Sequence, residues 1–163
     1  MQQVRTAVFF EEPIQALIHK LKYENTFALA QPLAEIMLQA WPNWVPPIDC
    51  IIPVPLHEKR YKARGYNQSE LLARHLSQHQ HLVMDTHSLI RTRHTQPQVH
   101  LNAIERQSNV AGAFTVQGTD IAGKHILLID DVFTTGATLS AAADILLSAG
   151  AATVSGYCLA RAK

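Results

Sequence analysis

HILLIDDVFTTGATL, residues 125–139, is the stretch on which the reading of the fold turns. Residues 125–130 form a short apolar run ending in a carboxylate, which predicts a strand buried on both faces. Asp131 doubles the charge at the strand end. Thr134, Thr135, Gly136, Ala137 and Thr138 then lead into an Ala- and Leu-rich segment, 137–149, which predicts a helix stopped by Gly150. Strand, turn and helix repeat on either side. CIIPVP (50–55) and TVSGYCLA (153–160) read as further buried strands, and SLIR (88–91) and AFTV (113–116) as shorter ones. Helical spacing covers 13–22, opened by Pro13, then 27–40 and 66–79, where Leu71, Leu72, His75 and Leu76 share a face. WPNWVPP (41–47) is a Pro-rich connector, and 92–112 is a long polar loop without periodicity. Doubly apolar strands separated by helices predict an α/β fold, a parallel sheet flanked by helices.

In such a sheet, ligands bind beyond the carboxyl ends of the strands. A helix start there offers free N–H groups and a positive dipole end to an anion. Gly136 lets the backbone turn tightly, and the threonines add hydroxyl donors. Adjacent carboxylates repel at a buried strand end and need donors or a cation, which sugar hydroxyls or a metal supply. A phosphate next to a vicinal diol, as in ribose 5-phosphate, satisfies all of these groups. Ser, Thr and Asp also cluster in plain helix-capping turns. The order of apolar strand, paired Asp, hydroxyl-rich turn and helix is more specific than that.

The remaining composition bounds the problem. The chain has 163 residues, 47% hydrophobic and 17% charged, with a net charge of +1, which suits one domain. Residues 57–109 hold eight Lys or Arg against four Asp or Glu, a local basic segment in a near-neutral chain. Cys50 and Cys158 lie in apolar runs with no CxxC, so a zinc ribbon or redox pair is not expected and both read as buried thiols. Neither a membrane span nor a signal peptide is evident, and the cytoplasm is the default expectation.

LLIDDVFTTGAT resembles the phosphoribosyl-pyrophosphate (PRPP) motif of type I phosphoribosyltransferases. LIHKLKYEN, IIPVPLHEKRYKARGYNQSELLA, RTRHTQPQ, RQSNVAGAF and AGAATVSGYCLAR together resemble the competence-protein F branch (ComF and GntX relatives). The resemblance implies a single phosphoribosyltransferase-like domain. Residues 1–45 would form a small N-terminal helical hood and 46–163 the core, with a flexible loop at about 92–112. Members often carry a four-cysteine zinc module ahead of the LKY segment, and this chain is expected to be a short or truncated member lacking it. By the same resemblance, Asp130 and Asp131 hydrogen-bond the ribose hydroxyls, and Thr134, Thr135, Gly136, Ala137 and Thr138 hold the 5-phosphate. Purine-salvage relatives often have an acidic residue where Thr134 stands, which counts against that role.

The loop after IIPVP, about Leu56 to Arg60 with His57 and Lys59, resembles the pyrophosphate loop. Lys59, Arg60 and Arg64 are the local cations, and Arg64 is a candidate catalytic residue beside the two aspartates. Developing charge on a leaving pyrophosphate calls for Arg or Lys, usually with Mg²⁺. Mg²⁺ is expected to arrive with PRPP, since no cluster of Lys or Arg in the sequence matches a full pyrophosphate. Asn67 or Ser69 could cap the next helix. The 92–112 loop matches a lid that would exclude water from the reacting centre, with Gln96, Arg106 and Asn109 as candidate contacts. Six of nine histidines lie between 75 and 100. His75 and His79 are spaced i, i+4 but lack a third ligand, so no protein zinc site is expected.

Three functions compete. An enzyme would transfer the phosphoribosyl group of Mg-PRPP to an unidentified acceptor. An accessory module would bind PRPP or a nucleotide in the same pocket while serving the DNA-uptake machinery. Direct contact with single-stranded DNA needs cations among aromatics, and Tyr61 and Tyr66 do flank Arg64. A homodimer stays open.

Overall fold

The computed structural model describes residues 1–44, 46–93, 112–118 and 120–162. Period-two alternation along the apolar strands builds its two cores. In β6 (His125–Phe133), Ile126 and Leu128 enter one core while Leu127 and Ile129 enter the other. In β2 (Cys50–Pro53), Cys50 and Ile52 oppose Ile51 in the same way. These strands join β1 (Val4–Phe9), β7 (Thr153–Arg161) and the short β3 (Val83–Met84) in one parallel sheet. Its order is β1-β7-β6-β2-β3.

α5 (Ala137–Ser148) buries Leu139, Ala142, Ala143 and Leu146 on the first face. α1 (Ile14–Tyr23), α2 (Ala30–Gln39) and α4 (Gln68–Gln80) cover the second. A 3₁₀ turn at Phe27–Leu29 leads into α2. Tyr157 donates its hydroxyl to the Met37 carbonyl at 2.7 Å, tying α2 to the sheet. Both cysteines are free and buried in the first core, where burial raises their thiol pKa values. No helix among the described residues is long and apolar enough to cross a membrane.

Two expectations need correction. The N-terminal 45 residues are not wholly a helical hood. Val4–Phe9 pairs with Gly156–Arg161 at the edge of the main sheet, and only the segment after it is helical. Val4 packs on the first core while Ala7 and Val8 pack on the second, a two-sided use that Arg5 within the strand and Glu11 beyond it obscured. The segment after IIPVP is also not a loop as far as Arg60. Glu58–Arg64 forms α3, a helix with no buried residue. His57 caps it by accepting the Lys59 N–H, Glu58 pairs with Lys62 at 2.5 Å, and Gly65 ends it at φ +84°.

β4 (Leu89–Arg91) and β5 (Phe114–Val116) form a separate antiparallel pair. Beyond it, the Thr92 N–H donates to the Ala113 carbonyl at 2.9 Å. The two ends of the expected 92–112 loop are thereby tied together. Gln96, Arg106 and Asn109 lie outside the described residues.

Candidate functional site

β6 runs on through both aspartates to Phe133, so the carboxylate pair stands on strand rather than on loop. The Asp130 Oδ1 accepts the Ser69 hydroxyl and the Asp131 N–H, each at 2.9 Å. The Asp131 Oδ1 accepts the Val132 N–H at 2.8 Å. Its Oδ2 lies 2.5 Å from the Lys22 ammonium of α1 and has no other donor among the described residues. Burial, reinforced by the neighbouring Asp131 charge, holds the Asp130 carboxyl well above the usual carboxylate range. Burial alone would lower the Lys22 pKa, but the Asp131 carboxylate outweighs it and the net shift is upward.

Gly136 follows the pair at φ +79°, a left-handed conformation that starts α5. A Cβ there would stand 2.9 Å from the Phe133 ring, so glycine is required twice, by conformation and by space. The turn presents the first N–H groups of a 12-residue helix.

A cavity of about 440 Å³ opens over these groups. Of the sequence candidates, Asp130, Asp131, Thr134, Gly136, Ala137, Thr138, Leu56, Arg60 and Arg64 line it. Three do not. Thr135 is exposed and accepts the Ala137 N–H at 3.4 Å, while His57 and Lys59 are taken up in the first turn of α3. His75 and His79 line a different cavity, between α2 and α4. Among the described residues, no three His, Cys, Asp or Glu side chains gather in a metal-binding group.

The cavity also receives residues that sequence reasoning missed. Arg91, only 8% exposed, enters from the end of β4 and lies over the Phe114 ring at 5.3 Å. Burial and the nearby Arg60 charge lower its pKa to about 10. Burial and Arg64 in turn lower that of Arg60. Lys22 enters from α1 and Gln68 from α4, where the Gln68 side chain accepts a hydrogen bond from Arg64. Four cations therefore surround one cavity, more than the sequence indicated. Asn67 caps α4 by accepting the Ser69 N–H at 3.0 Å and donates to the Val54 carbonyl at 3.0 Å. That frees the Ser69 hydroxyl for Asp130. No local pattern marked Lys22 or Arg91, because each reaches the site across the fold.

Chemically, the cavity offers a helix N-terminus with hydroxyls, a carboxylate pair that accepts from hydroxyls, and an arginine cluster that attracts a second anion. A family model described as "Phosphoribosyl transferase domain" matches residues 63–163. The DNA utilization protein YhgH of Escherichia coli O157:H7 is 36% identical, over 98% of this chain and 72% of that protein. Competence protein F of Haemophilus influenzae is 33% identical, over 93% of this chain and 69% of that protein. Among solved structures, one described as the allosteric regulatory enzyme of purine biosynthesis superposes with a TM-score of 0.54 at 18% identity. It covers 79% of this chain, which spans only 25% of that one, and the likeness concerns the fold alone.

Proposed function

The chain belongs to the phosphoribosyl transferase domain family, in its competence protein F branch, and on that premise we propose that it binds Mg-PRPP in this cavity and transfers the phosphoribosyl group to an acceptor, releasing pyrophosphate. The observation that carries the reading is the meeting of the Asp130–Asp131 pair, the Gly136 turn and three arginines around one cavity. The 5-phosphate rests on the N–H groups of the Thr134–Thr138 turn. The ribose hydroxyls donate to Asp130 and Asp131. The pyrophosphate faces Arg60, Arg64 and Arg91.

As the bond from C1 to the pyrophosphate oxygen lengthens, C1 gains positive character and the leaving group gains negative charge. Arginines already fixed around the cavity stabilise that charge without reorganising. Mg²⁺ arriving with the substrate would add positive charge at the pyrophosphate beside Arg60, Arg64 and Arg91. The case for it rests on the charge of that group, since cations are not scarce here as the sequence had implied.

A pyrophosphate-release assay across bases, amines and nucleic acids, beside a PRPP titration, tests the reading. Arg60→Ala or Arg64→Ala should cut release about a hundredfold while PRPP affinity changes far less. Unchanged PRPP affinity in a folded Asp130→Ala, Asp131→Ala protein would remove the site assignment.

A specific observation favours a second reading, an accessory role in DNA handling, in keeping with the names of the relatives. Exposed Tyr23 lies against the cavity arginine Arg64, and exposed Tyr61 follows the cavity arginine Arg60 in α3. The Arg64 guanidinium lies 5.3 Å from the Tyr23 ring centre, and Phe27 stands edge-on to Tyr66 at 6.0 Å. Aromatics among arginines suit stacked bases of single-stranded nucleic acid. Tight PRPP binding without turnover on any acceptor, joined with single-strand binding lost in Tyr23→Ala, would favour this role.

A further inference from the structure

α3 carries two of the three cavity arginines, Arg60 and Arg64, yet none of its own residues is buried. A short helix without a buried face gains little from the core, so its placement depends on its ends. At the first end, His57 caps the helix onto its own backbone. At the second, Gly65 turns the chain at φ +84° and Tyr66 follows. The Tyr66 ring is half-buried against the second core and stands edge-on to Phe27. Its hydroxyl donates to the Leu21 carbonyl, 45 residues away in the last turn of α1. The last carbonyls of a helix lack an amide partner within it, so this bond satisfies a group that α1 leaves open. Burial raises the Tyr66 pKa, which keeps the hydroxyl a donor. In the same turn of α1, the Tyr23 ring lies 5.3 Å from the Arg64 guanidinium, which also donates to the Gln68 side chain of α4.

We propose that Tyr66 is a positioning residue for the leaving pyrophosphate: by tying the end of α3 to the last turn of α1, it fixes the Arg64 guanidinium in the wall of the cavity. The inference rests on the phosphoribosyl reading and adds to it how the leaving-group cations are held. Arginine stabilises developing charge best when it is already in place, because nothing has to reorganise as the bond breaks. An arginine on an exposed helix has many rotamers to lose. Here three contacts restrict it: the Tyr23 ring against its face, Gln68 at its end, and Tyr66 fixing the backbone two residues on. Two of these holds end on the same turn, Leu21 to Tyr23, so α1 is the mount for α3.

Free pyrophosphate with Mg²⁺ is the probe, because it carries the charge that the leaving group acquires. Tyr66→Phe keeps the ring and removes only the hydroxyl. In calorimetric titration it should bind pyrophosphate about fivefold or more weakly, the loss of one hydrogen bond. Ribose 5-phosphate, which has no pyrophosphate, should bind the variant as it binds the wild type. In an Arg64→Ala background the same change should cost pyrophosphate nothing further, since the side chain it positions is gone. Tyr23→Leu, which removes the ring against Arg64 and leaves the Tyr66 bond, should show the same split between the two ligands. If Tyr66→Phe does not fold, Tyr23→Leu decides: a loss confined to pyrophosphate supports the mount, and an equal loss of both ligands overturns it. The proposal is also overturned if folded Tyr66→Phe binds pyrophosphate like the wild type, if it loses ribose 5-phosphate equally, or if the Tyr66→Phe and Arg64→Ala losses add in the double variant. Failure of the wild type to bind either pyrophosphate or PRPP, with Mg²⁺ present, would instead bring down the phosphoribosyl reading and this inference with it.

Discussion

Replacing Gly136 by Ala isolates the turn that starts α5. The backbone there sits at φ +79°, where a Cβ costs about 1–2 kcal/mol. The new methyl would also lie 2.9 Å from Phe133 Cε2 and 3.1 Å from Cζ. Phe133 is half-buried, lines the cavity and has the Arg161 guanidinium 5.8 Å from its ring centre, so the ring has some room to give. The combined cost is about 2 kcal/mol, which for a chain of this size lowers the melting temperature by about 4–8 °C. Function should suffer more than stability. Relieving the contact means shifting either the ring or the turn, and both line the cavity where the phosphate would sit. The Gly136 carbonyl also accepts the Ser140 N–H at 2.8 Å, so the first bond of the helix moves with the turn.

Gly123→Ala is the control for that experiment. Gly123 has φ +71° but open space around its missing Cβ, and it does not line the cavity. It should show the strain in its melting curve and bind phosphate normally. Calorimetry with inorganic phosphate and PRPP should find Gly136→Ala weaker by about tenfold or more, a loss of hydrogen bonds to a charged ligand. If Gly136→Ala melts and binds like the wild type, the turn is not a close-packed left-handed corner. If it melts lower yet binds phosphate normally, the anion does not sit on this turn.

Three further outcomes test the surroundings. Asp130→Asn should stabilise the protein, and more at pH 8 than at pH 4. The folded carboxyl pKa is raised, so wild-type stability falls as pH climbs from the ordinary carboxylate value through the raised one, and a neutral side chain escapes that loss; equal melting shifts at both pH values would refute it. Arg91→Met should keep the packing against Phe114 but weaken PRPP by about tenfold or more, with ribose 5-phosphate unaffected; equal loss of both ligands in titration would mean that Arg91 does not face the pyrophosphate. Asn67→Ala should cost about 1–2 kcal/mol in denaturant unfolding, because the cap and the bond to the Val54 carbonyl go together; a change within error would show that Ser69 or water replaces the cap.

How far the sequence could be read follows from the range of the interactions. The parallel sheet was legible because Ile126 to Ile129 are apolar on both faces, and only a strand covered by two layers needs that. The Gly136 turn was legible because its chemistry is local: strand end, glycine and helix start lie within a few residues. β1 was missed because Val4–Phe9 follows no strict alternation, and its pairing with β7 spans nearly the whole chain. α3 was missed because it buries nothing, so it shows no apolar stripe. Its signals are a His cap, one Glu58–Lys62 pair and a terminal Gly65, each weak alone.

The site divides along the same line. Asp130, Asp131 and the threonine turn announce themselves, but the charges that balance them do not. Lys22 comes from a helix 109 residues before Asp131, and Ser69 lies 61 residues from Asp130. Arg91 closes a short strand whose neighbours Leu89 and Ile90 gave no reason to single it out. A sequence displays a repulsive pair of carboxylates as an unexplained cost. Only the fold reveals what offsets it, and here that includes an ammonium from the protein itself. The paired aspartates were thus readable as a demand for positive charge and hydrogen-bond donors, while the side chain that meets the demand could be found only after the chain had folded back on itself.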